Sequence, residues 1–177
     1  MRNVLFVLSI ITISSCSNLT PFTKSIYDRY DWSEDELQRI QFYLSDDIVL
    51  KRELGSGTKE IINGDVKIID GKEIEVVKIP KGTPGIMEYT RDRNKMAIRF
   101  EEGGDRYLMF GPNPKYGGKY MLLASEWTRV SGKVHYEGNI YRAENQSQLA
   151  TLMIDLKRLG KTDVKSRTAD GVRVNKN

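Results

Sequence analysis

Ile48-Val49-Leu50-Lys51-Arg52-Glu53-Leu54 runs straight into Gly55-Ser56-Gly57, and the same grammar then repeats along the chain. Asn63-Gly64 and Asp70-Gly71 are hairpin dipeptides whose residues tolerate the positive φ of tight, primed turns. Further breaks fall at 80–85, 92–94, 103–104, 112–118, 131–132, 137–139 and 170–171, with β-branched and aromatic residues filling the gaps. Turns this closely spaced leave room for short strands and none for long helices. They predict a mainly β domain over residues 46–177, a small antiparallel barrel or a sandwich. Strands do not alternate with helices, so a parallel α/β sheet is excluded.

The run Val76-Val77-Lys78-Ile79-Pro80-Lys81-Gly82-Thr83-Pro84-Gly85-Ile86-Met87, taken with residues 96–100, resembles part of a bacterial SH3-like barrel. Such domains often place a Gly-Thr-x-Gly turn between strands. The resemblance implies a barrel over a sandwich and carries no function.

Upstream of the strands, one short helix is expected within residues 33–45. Ser33 and Glu36 have capping-box spacing, with Glu34 and Asp35 in the dipole-favoured first turn. Leu37, Ile40, Gln41 and Leu44 then follow at i, i+3, i+4 and i+7. Residues 16–32 read as a tether. Residues 149–159 fit two periods: Leu149, Leu152, Met153, Leu156 and Leu159 make a helical stripe, while Leu152, Ile154 and Leu156 alternate as a strand would. The flanking turns favour the strand.

The amino terminus reads as an address. Arg2 precedes the apolar run Val4-Leu5-Phe6-Val7-Leu8-Ser9-Ile10-Ile11-Thr12-Ile13, too short to span a bilayer but long enough for a signal-peptide core. Ile13-Ser14-Ser15-Cys16 then resembles the lipobox of bacterial lipoproteins. The resemblance implies removal of residues 1–15, diacylglycerol on the Cys16 sulfur and an acylated new amino terminus, an anchor of two or three chains. Ser17 and Asn18 are not the Asp that retains lipoproteins at the inner membrane. Nor does an acidic run resembling a surface-export signal follow. The implied address is the outer membrane, facing the periplasm.

Composition narrows the chemistry. The chain has 177 residues with one Cys and one His, which excludes a disulfide framework, a cysteine zinc site and a histidine cage. If Cys16 carries lipid, no thiol remains for catalysis, and outside the cytoplasm nucleic acid is a poor partner. No cofactor is expected beyond the covalent lipid. His135 lies in Lys133-Val134-His135-Tyr136-Glu137, where Val134 and Tyr136 share one face and His135 takes the other. No Gly-x-Ser-x-Gly elbow accompanies it, and Gly55-Ser56-Gly57-Thr58-Lys59 lacks the spacing of a phosphate loop. A glycosidase-like pair would have to come from carboxylates distant in sequence, such as Glu88 with Glu126, and nothing in the sequence selects one. The expectation is a non-catalytic protein, with an envelope hydrolase as the third reading.

Two features point to binding. Tyr107, Phe110, Tyr116, Tyr120, Trp127, Tyr136 and Tyr141 fall close together, with Arg106, Lys115, Lys119 and Arg129 interleaved. Aromatic faces stack on sugars or fill peptide grooves, and nearby cations hold anions. Tyr116, set among turn formers, is the least explained by packing. Tyr116, Trp127, Tyr120, Arg129 and Lys115 are therefore the candidate binding residues. Charge is also polarised: residues 28–47 carry seven acids against Arg29 and Arg39, and residues 157–177 carry seven bases against two acids. The first expectation is an accessory, assembly or interaction factor for another envelope component, another envelope protein being the expected partner. The second is a module binding peptidoglycan or another anionic glycan.

Overall fold

The structure, a computed structural model, describes residues 19–54, 65–69, 72–92 and 94–159, with the backbone alone at 65–69 and 72. Cys16, the leader, the phosphate-loop-like run 55–59, the 63–64, 70–71 and 170–171 turns and most of the basic terminus lie outside these residues.

The domain is mainly β, built as two antiparallel sheets around one core. One sheet contains β1 (Thr20–Pro21), β2 (Phe42–Leu44), β6 (Pro84–Arg91), β7 (Lys95–Arg99), β8 (Tyr107–Asn113), β9 (Lys119–Leu122) and β13 (Leu152–Ile154). Its strand order is β1-β13-β2-β6-β7-β8-β9. The other contains β3 (Ile48–Leu54), β4 (Asp65–Ile69), β5 (Lys72–Ile79), β10 (Glu126–Trp127), β11 (Ser131–Tyr136) and β12 (Asn139–Glu144). Its order is β10-β11-β12-β3-β5-β4.

Alternation sets the core. Ile48 and Leu50 on β3, Val134 and Tyr136 on β11, and Tyr141 and Ala143 on β12 point inward, as do Met96 and Ile98 on β7. His135 faces out between Val134 and Tyr136, as strand alternation predicts. The β11–β12 hairpin turns on Glu137 and Gly138, at φ 51° and 70°, with Tyr136 opposite Asn139. Two positive φ values identify the primed turn whose twist matches the strands.

No closed barrel forms among the described residues. Lys119 bridges to Thr23 and Met121 to Thr151, so the ends of the seven-stranded sheet approach each other, but only through isolated bridges. The SH3-like resemblance around residues 76–100 meets the turn at Pro80–Thr83. It carries the chain from β5 in one sheet to β6 in the other, so residues 76–100 are divided between two sheets.

The single N-terminal helix is also corrected. The capping box forms as expected, Ser33 Oγ accepting from the Glu36 amide while the Glu36 carboxylate accepts from the Ser33 amide, but helix α2 spans only Glu34–Leu37. Phe42 and Leu44 are buried at a period of two and pair with Ile154 and Leu152. A β ladder there satisfies the backbone and buries the same side chains, whereas a short helix gains little by itself.

Nor is the segment after Leu19 a tether. Thr20–Pro21 pairs with β13, Thr23 caps helix α1 (Lys24–Tyr30), and Phe22 is wholly buried between them. Segment 149–159 combines both periods: β13 is a strand, and Leu156–Leu159 form the short helix α3.

Candidate functional site

The aromatic run does not form one site. Phe110, Tyr120, Tyr136 and Tyr141 are core residues. Tyr120 packs 4.8 Å from the Phe22 ring and 6.2 Å from Tyr27, and its hydroxyl has no hydrogen-bond partner among the described residues. Burial holds that phenol well above the ordinary tyrosine range. An unsatisfied buried hydroxyl costs stability, so Tyr120→Phe should melt at or above the parent temperature in a thermal scan. A lower midpoint would show that the hydroxyl is satisfied.

Trp127 lies half-buried over Gly132, where an added Cβ would meet its ring at 2.5 Å, and Arg129 is exposed in the turn that follows. Lys115 and Tyr116 do sit together, in the exposed 3-10 turn Pro114–Tyr116, where Asn113 Oδ1 accepts from the Lys115 amide at 3.1 Å. The five candidates thus separate into a core residue, Tyr120, a turn beside β9 carrying Lys115 and Tyr116, and Trp127 on β10 with Arg129 exposed just past it. Glu88 is paired with Arg99, and Glu126 stands opposite Lys133 on the other sheet. Glu88 is therefore held by its own cation, while Glu126 and Lys133 share only a register position.

The structure instead assembles a cleft where β8 of one sheet meets β11 of the other, with a volume of about 660 Å³. Tyr89 and Arg91 come from β6, Lys95 from β7, Tyr107 from β8, and Lys133 and His135 from β11. Met109, Leu123 and Ala124 supply apolar lining. Volume and composition match the usual ligand cleft, apolar walls with a few convergent polar groups.

Tyr89 and Tyr107 meet edge to face, ring centroids 5.3 Å apart at 78°. Burial, and then the neighbouring Tyr107 phenol, push the Tyr89 phenol up to about 12. It is therefore neutral at physiological pH, and beside it stand Arg91, Lys95, Lys133 and His135. Asp105 is the one acid in the lining among the described residues, and Lys95 also reaches Asp92 at 3.5 Å.

The positive character continues out of the cleft through Lys133. The register sets Lys133 opposite Arg142, and Arg142 opposite Lys51, a row of three cations across β11, β12 and β3. Like charges directly opposite one another destabilise a sheet. Lys51 is neutralised by Glu144; Arg142 and Lys133 have no ion-pair partner among the described residues. Such a row is suited to meeting negative charge from outside.

Sequence reasoning missed this cleft because β6 and β7 lie well before the dense aromatic run. The alternation around His135 was the one available signal. Among the described residues, no group of three His, Cys, Asp or Glu side chains is placed to hold a metal ion. No helix there is long and apolar enough to cross a membrane. Comparison with protein-family models, with curated proteins and with solved structures finds no match.

Proposed function

We propose that this is a lipoprotein of the bacterial envelope, anchored through Cys16 in the outer membrane and facing the periplasm, whose β domain binds an acidic segment of another envelope protein without catalysis. The carrying observation is the cleft: Tyr89 and Tyr107 with Arg91, Lys95, Lys133 and His135 against Asp105, continuous with the Lys133–Arg142–Lys51 row. Electrostatic complementarity of this kind selects partners by sign and speeds encounter. The lipobox-like Ile13-Ser14-Ser15-Cys16 supports the anchor. Two sheets sharing one core fit an open, sandwich-like scaffold for such a surface.

The second reading is a glycan-binding module. Tyr89 and Tyr107 favour it, since aromatic faces and phenolic hydroxyls also suit sugars.

A photo-cross-linking residue at position 107 of the lipidated protein, activated in its own envelope, separates the two. A discrete protein adduct is expected. Arg91→Glu with Lys133→Glu should reduce it by about tenfold or more, since like-charge contacts cost several kcal/mol and each 1.4 kcal/mol is a factor of ten. An adduct untouched by both reversals overturns the charge argument. Muropeptide adducts alone move the assignment to peptidoglycan.

A further inference from the structure

We propose that the outer face of the seven-stranded sheet around β1 is a membrane-docking face, lying in the lipid headgroup region while Cys16 holds the chain. The proposal rests on the lipid-anchor reading and adds an orientation to it. Thr20 is only four residues beyond Cys16. Extended chain spans at most about 3.3–3.6 Å per residue, so β1 begins within roughly 14 Å of the acylated sulfur. With Phe22 locked in the core, no longer leash is available. Whatever surrounds β1 must therefore lie close to the bilayer.

What surrounds it is apolar on the solvent side. The register sets Pro21 opposite Met153, Met153 opposite Tyr43, and Tyr43 opposite Pro84, one continuous row across β1, β13, β2 and β6. None of the four is fully buried, although Phe22, Ile154, Phe42 and Gly85 beside them are. Pro21 and Met153 also line a groove of about 340 Å³ that includes Tyr116 and Leu149, which are 48% and 51% exposed.

This composition is that of an interfacial surface. Tyrosine is amphipathic and settles at headgroup depth, and leucine and methionine gain by leaving water. Lys119 lines the groove and Lys157 is exposed on α3, just past β13; both can reach phosphate groups while their stems stay on apolar surface. Asp46 is the acid in the groove, and it accepts a hydrogen bond from Ser45 Oγ at 2.7 Å. Tyr116, unexplained by packing, acquires a role here. The face shares no lining residue with the Tyr89–Tyr107 cleft.

The test uses the lipidated protein. Its one native thiol is then acylated, so Leu149→Cys supplies a single labelling site, and Val130→Cys, in the bend just before β11, supplies the comparison. Each carries a polarity-sensitive fluorophore in vesicles of phosphatidylethanolamine and phosphatidylglycerol. The Leu149→Cys label should shift to the blue and be quenched by lipids bearing a shallow nitroxide, while the Val130→Cys label emits as in water. Protein that floats with the vesicles while both labels emit as in water keeps the anchor and overturns the docking face. Equal protection at both positions overturns it too, since no face is then preferred. Protein that fails to float removes the anchor and the docking face together. A blue shift of Leu149→Cys in Cys16→Ala protein without lipid, growing with protein concentration, assigns the face to a second copy of the chain and overturns the membrane assignment.

Discussion

Glu75→Ala should cost this domain about 3 kcal/mol of folding stability, the lower end of what breaking a buried ion pair costs. Glu75 is 7% exposed, on the inner face of β5, directly opposite Arg52 of β3. One carboxylate oxygen accepts from Arg52 Nε at 2.8 Å and from the Tyr141 hydroxyl at 2.9 Å. The Arg52 guanidinium also lies 5.2 Å from the centre of the Tyr141 ring. Burial first, and then the carboxylate, hold the Tyr141 phenol above its ordinary range, so it stays a donor. Alanine would leave a buried hydroxyl without its acceptor and a cation without its counter-charge. Arg52 keeps about a quarter of its side chain in water, 26%, which is why the low end applies. Glu75→Gln retains an acceptor for Tyr141 and should lose less. Arg52→Met with Glu75→Leu and Tyr141→Phe removes both charges and the hydroxyl they would strand, and should recover much of the loss, because a buried pair adds little over well-packed apolar groups. Urea unfolding of the three variants checks the ordering. An alanine variant as stable as the glutamine variant would show that the acceptor for Tyr141 contributes nothing, and a glutamine variant as stable as the parent would show the same of the charge.

No local pattern announces that trio. Arg52, Glu75 and Tyr141 read in sequence as a charged strand end, a charged strand interior and one aromatic among many. Their meeting depends on β12, β3 and β5 being neighbours at one register, which is a long-range fact. What depends on neighbouring residues was legible: the Ser33–Glu36 capping box, the Glu137-Gly138 turn, and the outward placement of His135. The helix expected over residues 34–44 shows where local reasoning stops. Leu37, Ile40 and Leu44 are all buried, as a helix stripe requires, yet Phe42 is buried too, and β13 and β6 on either side decide for the strand. The aromatic density misled in the same way. Tyr116 and Tyr120 are four residues apart, but one sits on a turn and the other on a strand facing the core. The cleft draws on β6, β7, β8 and β11, which only tertiary pairing brings together.

Phe22→Ala separates a tether from a structural strand more sharply than any other substitution. In a tether it would be silent. In this fold it should cost about 3–5 kcal/mol, the range for truncating a buried phenylalanine and leaving a cavity. The ring is fully buried and touches Phe42 at 5.3 Å, Tyr120 at 4.8 Å and Trp32 at 6.2 Å between centroids. Its backbone is held on both sides, the amide donating to the Leu152 carbonyl at 2.8 Å and the carbonyl accepting from the Tyr120 amide at 2.9 Å. Phe22 therefore fastens β1 between β13 and β9. Ser25→Ala, at an exposed site on α1, should stay within about 0.5 kcal/mol of the parent, and the two variants are compared by urea unfolding. With Cys16 as the proposed lipid anchor, the consequence extends to the membrane. If removing the ring frees β1 before the rest of the domain unfolds, the leash from Cys16 lengthens from four residues to a dozen or more. At a temperature where the remaining sheet is intact, the Leu149→Cys label should then lose its protection although the protein still floats with vesicles. Retained protection would mean that the apolar face holds the bilayer by itself, with the short leash contributing nothing to orientation.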